Sequence, residues 1–349
     1  MVRTVNKGLL YIFPQLSSFV RKDLSFLEKE YDVTTNLFHV KNKAILPIYL
    51  LWNIVLFPFK SFGKSLVVAQ FGGYHTVAPA IWSKVLNKKF VIVLGGYDCV
   101  SFPQIGYGAF ANKWMRKAVV LSYKKADLLL PVHDSLIFSN YTYSSEYPNS
   151  QGIKSFIPEL KTPFKTIFNG YDASKWPADI SLKKPHTAIT IAAGIEENRR
   201  SVLKGIDLVL ELALAHPEMQ FVIVGGSLVN TPINVVVHPQ LPQSELLKLM
   251  QQSQFYLQLS ISEGFPNALC EAMLCGCIPI VSNVASMPEI IGDAGAVLNH
   301  KNREELSAIL KKLESENKID LQQKAIERIK SLYTESNREK QLLEAIRIN

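Results

Sequence analysis

The 349-residue sequence predicts an α/β protein built from two doubly wound parallel-sheet domains. Three observations predict it. Short apolar, β-rich runs alternate with helical patterns along most of the chain, which is how parallel sheets covered on both faces are written. The alternation pauses once, over a polar and turn-rich stretch, and then resumes. The length exceeds what one ordinary core organises and suits two domains of average size.

In the first series, GLLYIF (8–13) reads as a strand and SSFVRKDLSFLEKEY (17–31) as a helix with Phe19, Leu24, Phe26 and Leu27 towards one side. SLVVAQF (65–71) is a strand, VAPAIWSKVLN (77–87) a helix, and KFVIVLGG (89–96) a strand ending in two glycines. KWMRKAVVLSYKKA (113–126) is helical and DLLLPVH (127–133) is the next strand. Residues 144–163 are rich in turn formers and read as loop. FKTIFNGYD (164–172) brings a strand and a turn, and SKWPADISLKKP (174–185) reads as a linker. This places the first domain at 1–175 and the second at 176–333.

The second series opens with the strand TAITIAAG (187–194) and the helix GIDLVLELALAHP (205–217), stopped by Pro217. QFVIVGG (220–226) and INVVVH (233–238) are strands, QSELLKLMQQS (243–253) a helix, and QFYLQLS (254–260) a strand. A small-residue helix and the strand CIPIVS (277–282) follow, and the last 45 or so residues read as helices. In open parallel sheets ligands sit beyond the carboxyl ends of the strands, so a cleft between two such domains is the expected site.

Hydrophobic residues make up 48% and charged residues 19%, which excludes a disordered chain. Residues 1–180 carry 21 Lys and Arg against 11 Asp and Glu, a balance of +10; the remainder, 17 against 19, is −2. The basic half suits an anionic partner: a membrane face, a phosphate-bearing acceptor or nucleic acid, with a solvated lysine surface as the plain alternative. No nucleic-acid motif supports the last partner. Cys99, Cys270, Cys275 and Cys277 form no Cys-x-x-Cys pair and read as buried thiols. Few cysteines and the lack of a signal peptide suggest the cytoplasm. AILPIYLLWNIVLFPF (44–59) is too short and too interrupted, by Pro47, Asn53 and Pro58, to span a bilayer. It reads as a buried core helix, with an interfacial helix flanked by Lys41, Lys43, Lys60 and Lys64 as the alternative.

The chemistry concentrates in SEGFPNALCEAMLCGCIPIVS (262–282). A strand ends near Ser260, an exit loop carries Glu263 and Gly264, and a helix starts near Pro266 or Asn267, since Pro favours a first turn. The free N–H groups of Phe265, Asn267, Ala268 and Leu269, together with the helix dipole, suit a diphosphate. Gly264 lets the backbone come close. Glu271, a turn into the helix, can accept hydrogen bonds from the cis-diol of a ribose, while Glu263 lies nearer an attached sugar. The spacing of eight thus measures a nucleotide sugar. Lys204, at a helix start, suits phosphate as a point charge, with Arg199 and Arg200 as further cations. Gly226, ending a strand, is either a ligand approach or a turn.

In the first domain, Gly95, Gly96 and Asp98 follow a strand. The glycines open space for an acceptor or donor sugar, and Asp98 is a candidate general base, hydroxyl-binding acid or local cap. His75, after the preceding strand, is a candidate acceptor-side base or an incidental histidine. No metal cluster and no Asp-x-Asp appears, so a metal-borne diphosphate is not expected.

These residues resemble a known family. The 262–282 segment is similar to the Glu-x7-Glu motif of the retaining family 4 glycosyltransferases, which have the GT-B fold. TIFNGYDASKW resembles their Pro-Asn-Gly-Val-Asp turn, and KGIDLVLELA their Lys-Gly helix start; QFVIVGG, MPEIIGDAGAVL and KKADLLLPVHDS also fit. The resemblance implies a nucleotide-diphosphate-sugar donor, retention at the anomeric carbon and no metal. By position, Glu271 binds the ribose, Glu263 the transferred sugar, residues 265–268 (Phe265, Pro266, Asn267 and Ala268) diphosphate and sugar, and Lys204 the diphosphate. The final helix, about 334–349, is implied to pack back on the first domain.

The chain departs from that pattern in three places. Gly194-Ile195 stands where the family usually has Gly-Arg, leaving Arg199 or Arg200 to substitute. Gly95 stands where many members have a donor-contacting His, and PQLSSFV replaces a Gly-Gly loop. The expected activity is metal-independent, hexosyltransferase-like transfer from a nucleotide sugar to a glycan or lipid-linked acceptor, possible for a peripheral protein on the inner membrane face and suited to polysaccharide biosynthesis. The alternative is a donor-binding partner subunit without catalysis.

Overall fold

A computed structural model describes residues 7–40, 42–196 and 199–347, the side chains of residues 43 and 199 excepted. The chain divides into two compact units. The first comprises the described residues up to Ser139, Ser150–Phe168, and those from Ser336 onward; the second comprises Asn140–Asn149 and Asn169–Glu335.

The first unit is built on five parallel strands in the order β2-β1-β3-β4-β5. These are β1 (Lys7–Phe13), β2 (Tyr31–Leu37), β3 (Leu66–Gln70), β4 (Lys89–Leu94) and β5 (Leu128–Pro131). The apolar runs of β1, β3 and β4 are buried almost throughout, as strands covered on both faces require. β2 is the exception: YDVTTNL is half exposed at the sheet edge, and nothing in its pattern marked it as a strand.

Helix α1 (Ser18–Glu30) begins where the Ser17 hydroxyl accepts from the Val20 N–H, and buries Val20, Asp23, Phe26 and Leu27. Helices α2 (Leu46–Lys60), α3 (Val77–Trp82) and α4 (Lys113–Lys125) follow, then the short α5 (Ile153–Phe156). Asn112 caps α4 by accepting from Trp114 and Met115. The chain's last helix, α13 (Glu335–Ile346), is joined to α1 by a buried ion pair. Arg338 Nε and Nη2 each donate to an Asp23 oxygen at 2.7 Å, and the Gln70 side chain donates to the same carboxylate. Arg338 also donates to the Ile167 and Phe168 carbonyls and lies over the Phe19 ring.

Helix α2 corrects the core-helix expectation for 44–59. Asn53 and Phe57 are buried, while Ile48, Leu51, Trp52, Val55 and Phe59 face outward and exposed.

Two short strands, β6 (Ser139–Asn140) and β7 (Ser150–Gln151), bracket residues 141–149. The second unit then holds six parallel strands in the order β10-β9-β8-β11-β12-β13. They are β8 (Lys184–Ile195), β9 (Gln220–Gly226), β10 (Val235–His238), β11 (Ser253–Gln258), β12 (Ile278–Ser282) and β13 (Ala296–Leu298). Helices α6 (Arg199–Leu203), α7 (Ile206–Ala215), α8 (Gln243–Gln252), α9 (Asn267–Leu274), α10 (Met287–Ile291), α11 (Arg303–Ser315) and α12 (Lys318–Leu332) cover them. Succession runs outward from β8 to β10 and then returns beside β8 as β11, so the strand order reverses between β8 and β11. In doubly wound sheets that reversal opens a crevice at the carboxyl ends. The first sheet reverses likewise between β1 and β3. All four cysteines are buried thiols.

Candidate active site

In the second unit the site residues gather at the β8/β11 reversal. Strand periodicity puts Tyr256, Gln258 and Ser260 on one side of the chain. They form a relay: the Tyr256 hydroxyl donates to Gln258 Oε1 at 2.7 Å, and Gln258 Nε2 donates to Ser260 Oγ at 2.8 Å. Both Gln258 Nε2, at 3.1 Å, and Ser260 Oγ, at 2.8 Å, donate to Glu263 Oε1. Lys204 Nζ completes the set at 2.5 Å from the same oxygen. The Glu263 side chain is 12% exposed, so its charge is held largely out of water by a matched cation and two neutral donors.

Lys204 is positioned by backbone contacts. Ile261 N–H donates to the Leu203 carbonyl at 2.9 Å, stitching the α6–α7 junction to the loop after β11. Gly205 caps α7 in the left-handed region, φ +68°, and a Cβ there would lie 2.1 Å from the Leu259 carbonyl oxygen. Only glycine combines that conformation with that approach.

Helix α9 begins at Asn267 with Pro266 at its cap and no side chain capping it. The turn at residues 169–171, where the main segment of the second unit begins, fixes this end. Tyr171 Oη donates to Asn267 Oδ1 at 2.8 Å, and Asn169 Nδ2 reaches Asn267 Oδ1 and the Phe265 carbonyl at 3.3 and 3.4 Å. The Phe265 ring stacks against Tyr171 and meets Tyr333 edge-on at 5.2 Å. Gly264 is buried in the same loop, and Ala268 is half-buried in the first turn. Glu271 is half-buried one turn into α9. Burial raises the Tyr256 hydroxyl well above its ordinary pKa, and the charges of Glu263 and then Glu271 add to the effect. Both carboxylates therefore act on one buried phenol at the end of β11.

Of the other cations, Arg200 lies against the end of β8: a Cβ on Gly194 would be 2.3 Å from its Nη1. The Arg199 side chain lies outside the described residues. Gly226 is part of β9, opposite Ile195, and a Cβ there would strike the Ile195 carbonyl oxygen at 1.8 Å. Close strand packing accounts for this glycine.

The first unit has its own cavity of about 440 Å³ at the β1/β3 reversal. Pro14, Phe38, Phe71, His75, Tyr97 and Met115 are among its walls. His75 Nε2 donates to the Gln70 carbonyl at 2.9 Å, and burial lowers its pKa. Asp98 serves the loops. Its oxygens accept from the N–H groups of Gly72, Gly95 and Gly96 and from the Tyr123 hydroxyl, at 2.8 to 3.1 Å. With those positions filled it is a brace between two strand ends rather than a base awaiting a proton. The space expected over Gly95 is also occupied, since a Cβ there would lie 2.0 Å from the Phe71 ring.

Solved structures match the fold over nearly all of the chain. A sucrose-phosphate synthase from Thermosynechococcus elongatus matches with a TM-score of 0.75 at 10% identity, over 97% of this chain and 98% of that one. The Anabaena protein Alr3699/HepE, in complex with UDP-glucose, matches at 0.71 and 14% identity, over 97% and 98%. The fold is GT-B. Within this GT-B chain, residues 197–332 match the family model of glycosyl transferases group 1, a span that includes Lys204, Glu263 and Glu271. An O-antigen chain mannosyltransferase B of Escherichia coli is 37% identical over 76 residues, 22% of this chain and 20% of that one. A GDP-mannose:cellobiosyl-diphosphopolyprenol alpha-mannosyltransferase of Xanthomonas oryzae pv. oryzae (strain PXO99A) is 26% identical over 192 residues, 49% and 48% of the two chains. The chain thus spans between a fifth and about half of the length of the curated relatives it matches.

The sequence pointed to Lys204 and Glu263, which the structure brings together, but not to Gln258 and Ser260, which donate to Glu263. The alternation Tyr256, Gln258, Ser260 along β11 and just beyond it was the available signal, because polar groups on a buried face need partners.

Proposed function

We propose that the protein is a retaining, metal-independent glycosyltransferase, moving a hexose from a nucleotide-diphosphate-sugar to a hydroxyl of a glycan or lipid-linked acceptor in the cytoplasm. The observation that carries this reading is the Lys204–Glu263 pair at the β8/β11 reversal, with Glu271 one turn into the adjoining helix. The group 1 match over the same residues supports it, and the named mannosyltransferases make GDP-mannose the first donor to test.

On this reading the diphosphate replaces Glu263 as partner of Lys204, and the ammonium and the start of α9 offset the charge that grows on the leaving group. Gly264, Phe265, Pro266, Asn267 and Ala268 line the phosphate and sugar, Arg200 or Arg199 adds a second cation, and Glu271 takes the ribose diol. Glu263 is released to the sugar hydroxyls. The acceptor hydroxyl attacks the anomeric carbon on the face from which the diphosphate departs, the departing phosphate taking the hydroxyl proton, and this gives retention.

Calorimetric titration with GDP and UDP tests the site. Tight binding weakened in both Lys204→Ala and Glu271→Ala supports it; affinity unchanged in both variants rejects it. The engaged Asp98 and the Phe71 ring beside Gly95 favour one competing reading, a donor-binding subunit without catalysis. Slow hydrolysis of the donor in the absence of acceptor decides for the enzyme.

A further inference from the structure

Helix α2 is apolar all round, yet only one side of it meets protein. Asn53 is turned inward, donating to the Tyr49 carbonyl at 2.8 Å. The outward side carries Ile48, Leu51, Trp52, Val55 and Phe59 and continues into Phe62, and these six side chains are 51 to 86% exposed. A contiguous apolar face of this kind marks an interaction surface. The helix has 15 residues, about 22 Å of rise, against roughly 30 Å for a bilayer core, and no helix among the described residues is long and apolar enough to cross a membrane.

The stretch of sequence that carries the face has charge of one sign. From Val33 to Tyr97 the sequence contains no Asp and no Glu, against Lys41, Lys43, Lys60, Lys64, Lys84, Lys88 and Lys89. The bounding acids are spoken for: Asp32 pairs with Lys64, and Asp98 is buried among its donors. The Trp82 indole donates to the Ile54 carbonyl, which ties α3 and its following lysines to α2.

We infer that α2 docks the first unit on an anionic lipid bilayer, lying in the plane of the headgroups with its outward side chains in the acyl boundary. Apolar side chains with a tryptophan, in a stretch of sequence that has lysines and no acids, match that layered chemistry. A protein partner fits less well. Protein interfaces carry a hydrogen bond about every 100–200 Å², and among the six outward side chains only the Trp52 N–H could supply one.

The inward side of α2 gives the docking a purpose that rests on the glycosyl-transfer reading. The Tyr49 ring meets Phe38 edge-on at 4.9 Å, and Phe38 walls the first unit's cavity beside His75. One aromatic layer separates the lipid-facing helix from that cavity, a short route for an acceptor whose anchor stays in the bilayer.

Co-sedimentation of the full chain with phosphatidylcholine vesicles, with and without phosphatidylglycerol, tests the docking without any donor. The wild type should bind the anionic vesicles at low salt, less tightly as salt rises. Trp52→Glu/Phe59→Glu should weaken binding by about tenfold or more, since two apolar side chains no longer enter the lipid. As a second readout, brominated lipid should quench the wild-type fluorescence, and Trp52→Phe should lose most of that quenching. Absent binding at low salt, an unaffected double variant, or a wild-type dimer that the double variant dissolves would overturn the inference, the last by making the face a protein interface. GDP and UDP titrations on the same samples separate the two readings, because failure there with vesicle binding intact rejects the transferase site alone.

Discussion

Lys204 and Glu263 stand 59 positions apart in sequence and meet at 2.5 Å beyond the ends of β8 and β11. The pair joins the cation proposed for the diphosphate to the acid proposed for the sugar, so substitutions at the two positions should separate two functions. Lys204→Ala should weaken nucleoside diphosphate binding by about tenfold to a hundredfold, the range of a lost charged hydrogen bond. Glu263→Gln keeps a side chain that Ser260 can reach. It should leave that affinity within about threefold while lowering sugar transfer by roughly a hundredfold, the scale of one lost transition-state contact. Equal losses of binding in both variants would make the pair structural only.

Glu271 is proposed to read the ribose, and that has its own signature. The wild type should prefer GDP over its 2′,3′-dideoxy analogue by about tenfold or more, because the carboxylate then loses its hydroxyl partners. Glu271→Ala should bind the two nucleotides alike. A preference that survives the substitution would place the diol elsewhere.

Gly205 and Gly63 form a matched pair for the backbone argument. Both have positive φ, +68° and +71°, but a Cβ at 205 meets the Leu259 carbonyl oxygen at 2.1 Å while one at 63 meets nothing within 4 Å. Gly63→Ala should cost about 1 kcal/mol of conformational strain. Gly205→Ala should cost more than that and also weaken diphosphate binding, because Lys204 moves with the displaced junction. Thermal melts and calorimetry on both variants check this, and equal melting temperatures would refute it.

How far the sequence was legible follows from the same residues. The strands buried on both faces announced themselves as apolar runs, and the start of α9 was readable because Pro266 and Asn267 follow a loop glycine. Edge strand β2 was not, since its half-exposed residues follow no clean alternation. Helix α2 misled by composition: hydrophobicity says that a surface will be covered, not by what. Asp98 stayed open between chemistry and a cap, and Gly95 was read as open space, because a sequence does not show that Gly72, Tyr123 and Phe71 arrive from other segments to occupy them.

Arg338 and Asp23 are each about 1% exposed, and their pairing fastens α13 to α1 within the first unit. Removing one partner strands a buried charge. Arg338→Met should therefore cost about 3–5 kcal/mol in urea unfolding, whereas Asp23→Leu/Arg338→Met, which removes both charges, should cost clearly less. A double variant at least as unstable as the sum of the singles would show that packing, not charge, governs the contact.

His75 supplies the last expectation, a pH dependence of stability in the first unit. Burial lowers its folded pKa, with the Gln70 carbonyl offsetting only part of that effect. Below the ordinary imidazole value of about 6.5 the unfolded chain takes up a proton that the folded chain still refuses. Stability must then fall as the pH drops, at up to about 1.4 kcal/mol per unit, until the folded imidazole also titrates; above that value the contribution is fully present. Urea unfolding of the wild type and His75→Gln between roughly pH 5 and 7.5 isolates the effect, because other titrating groups are common to both. The wild-type curve should drop away from that of the variant as the solution becomes acidic. Parallel curves would mean that the imidazole titrates alike in the folded and unfolded chains, so that burial does not keep it neutral.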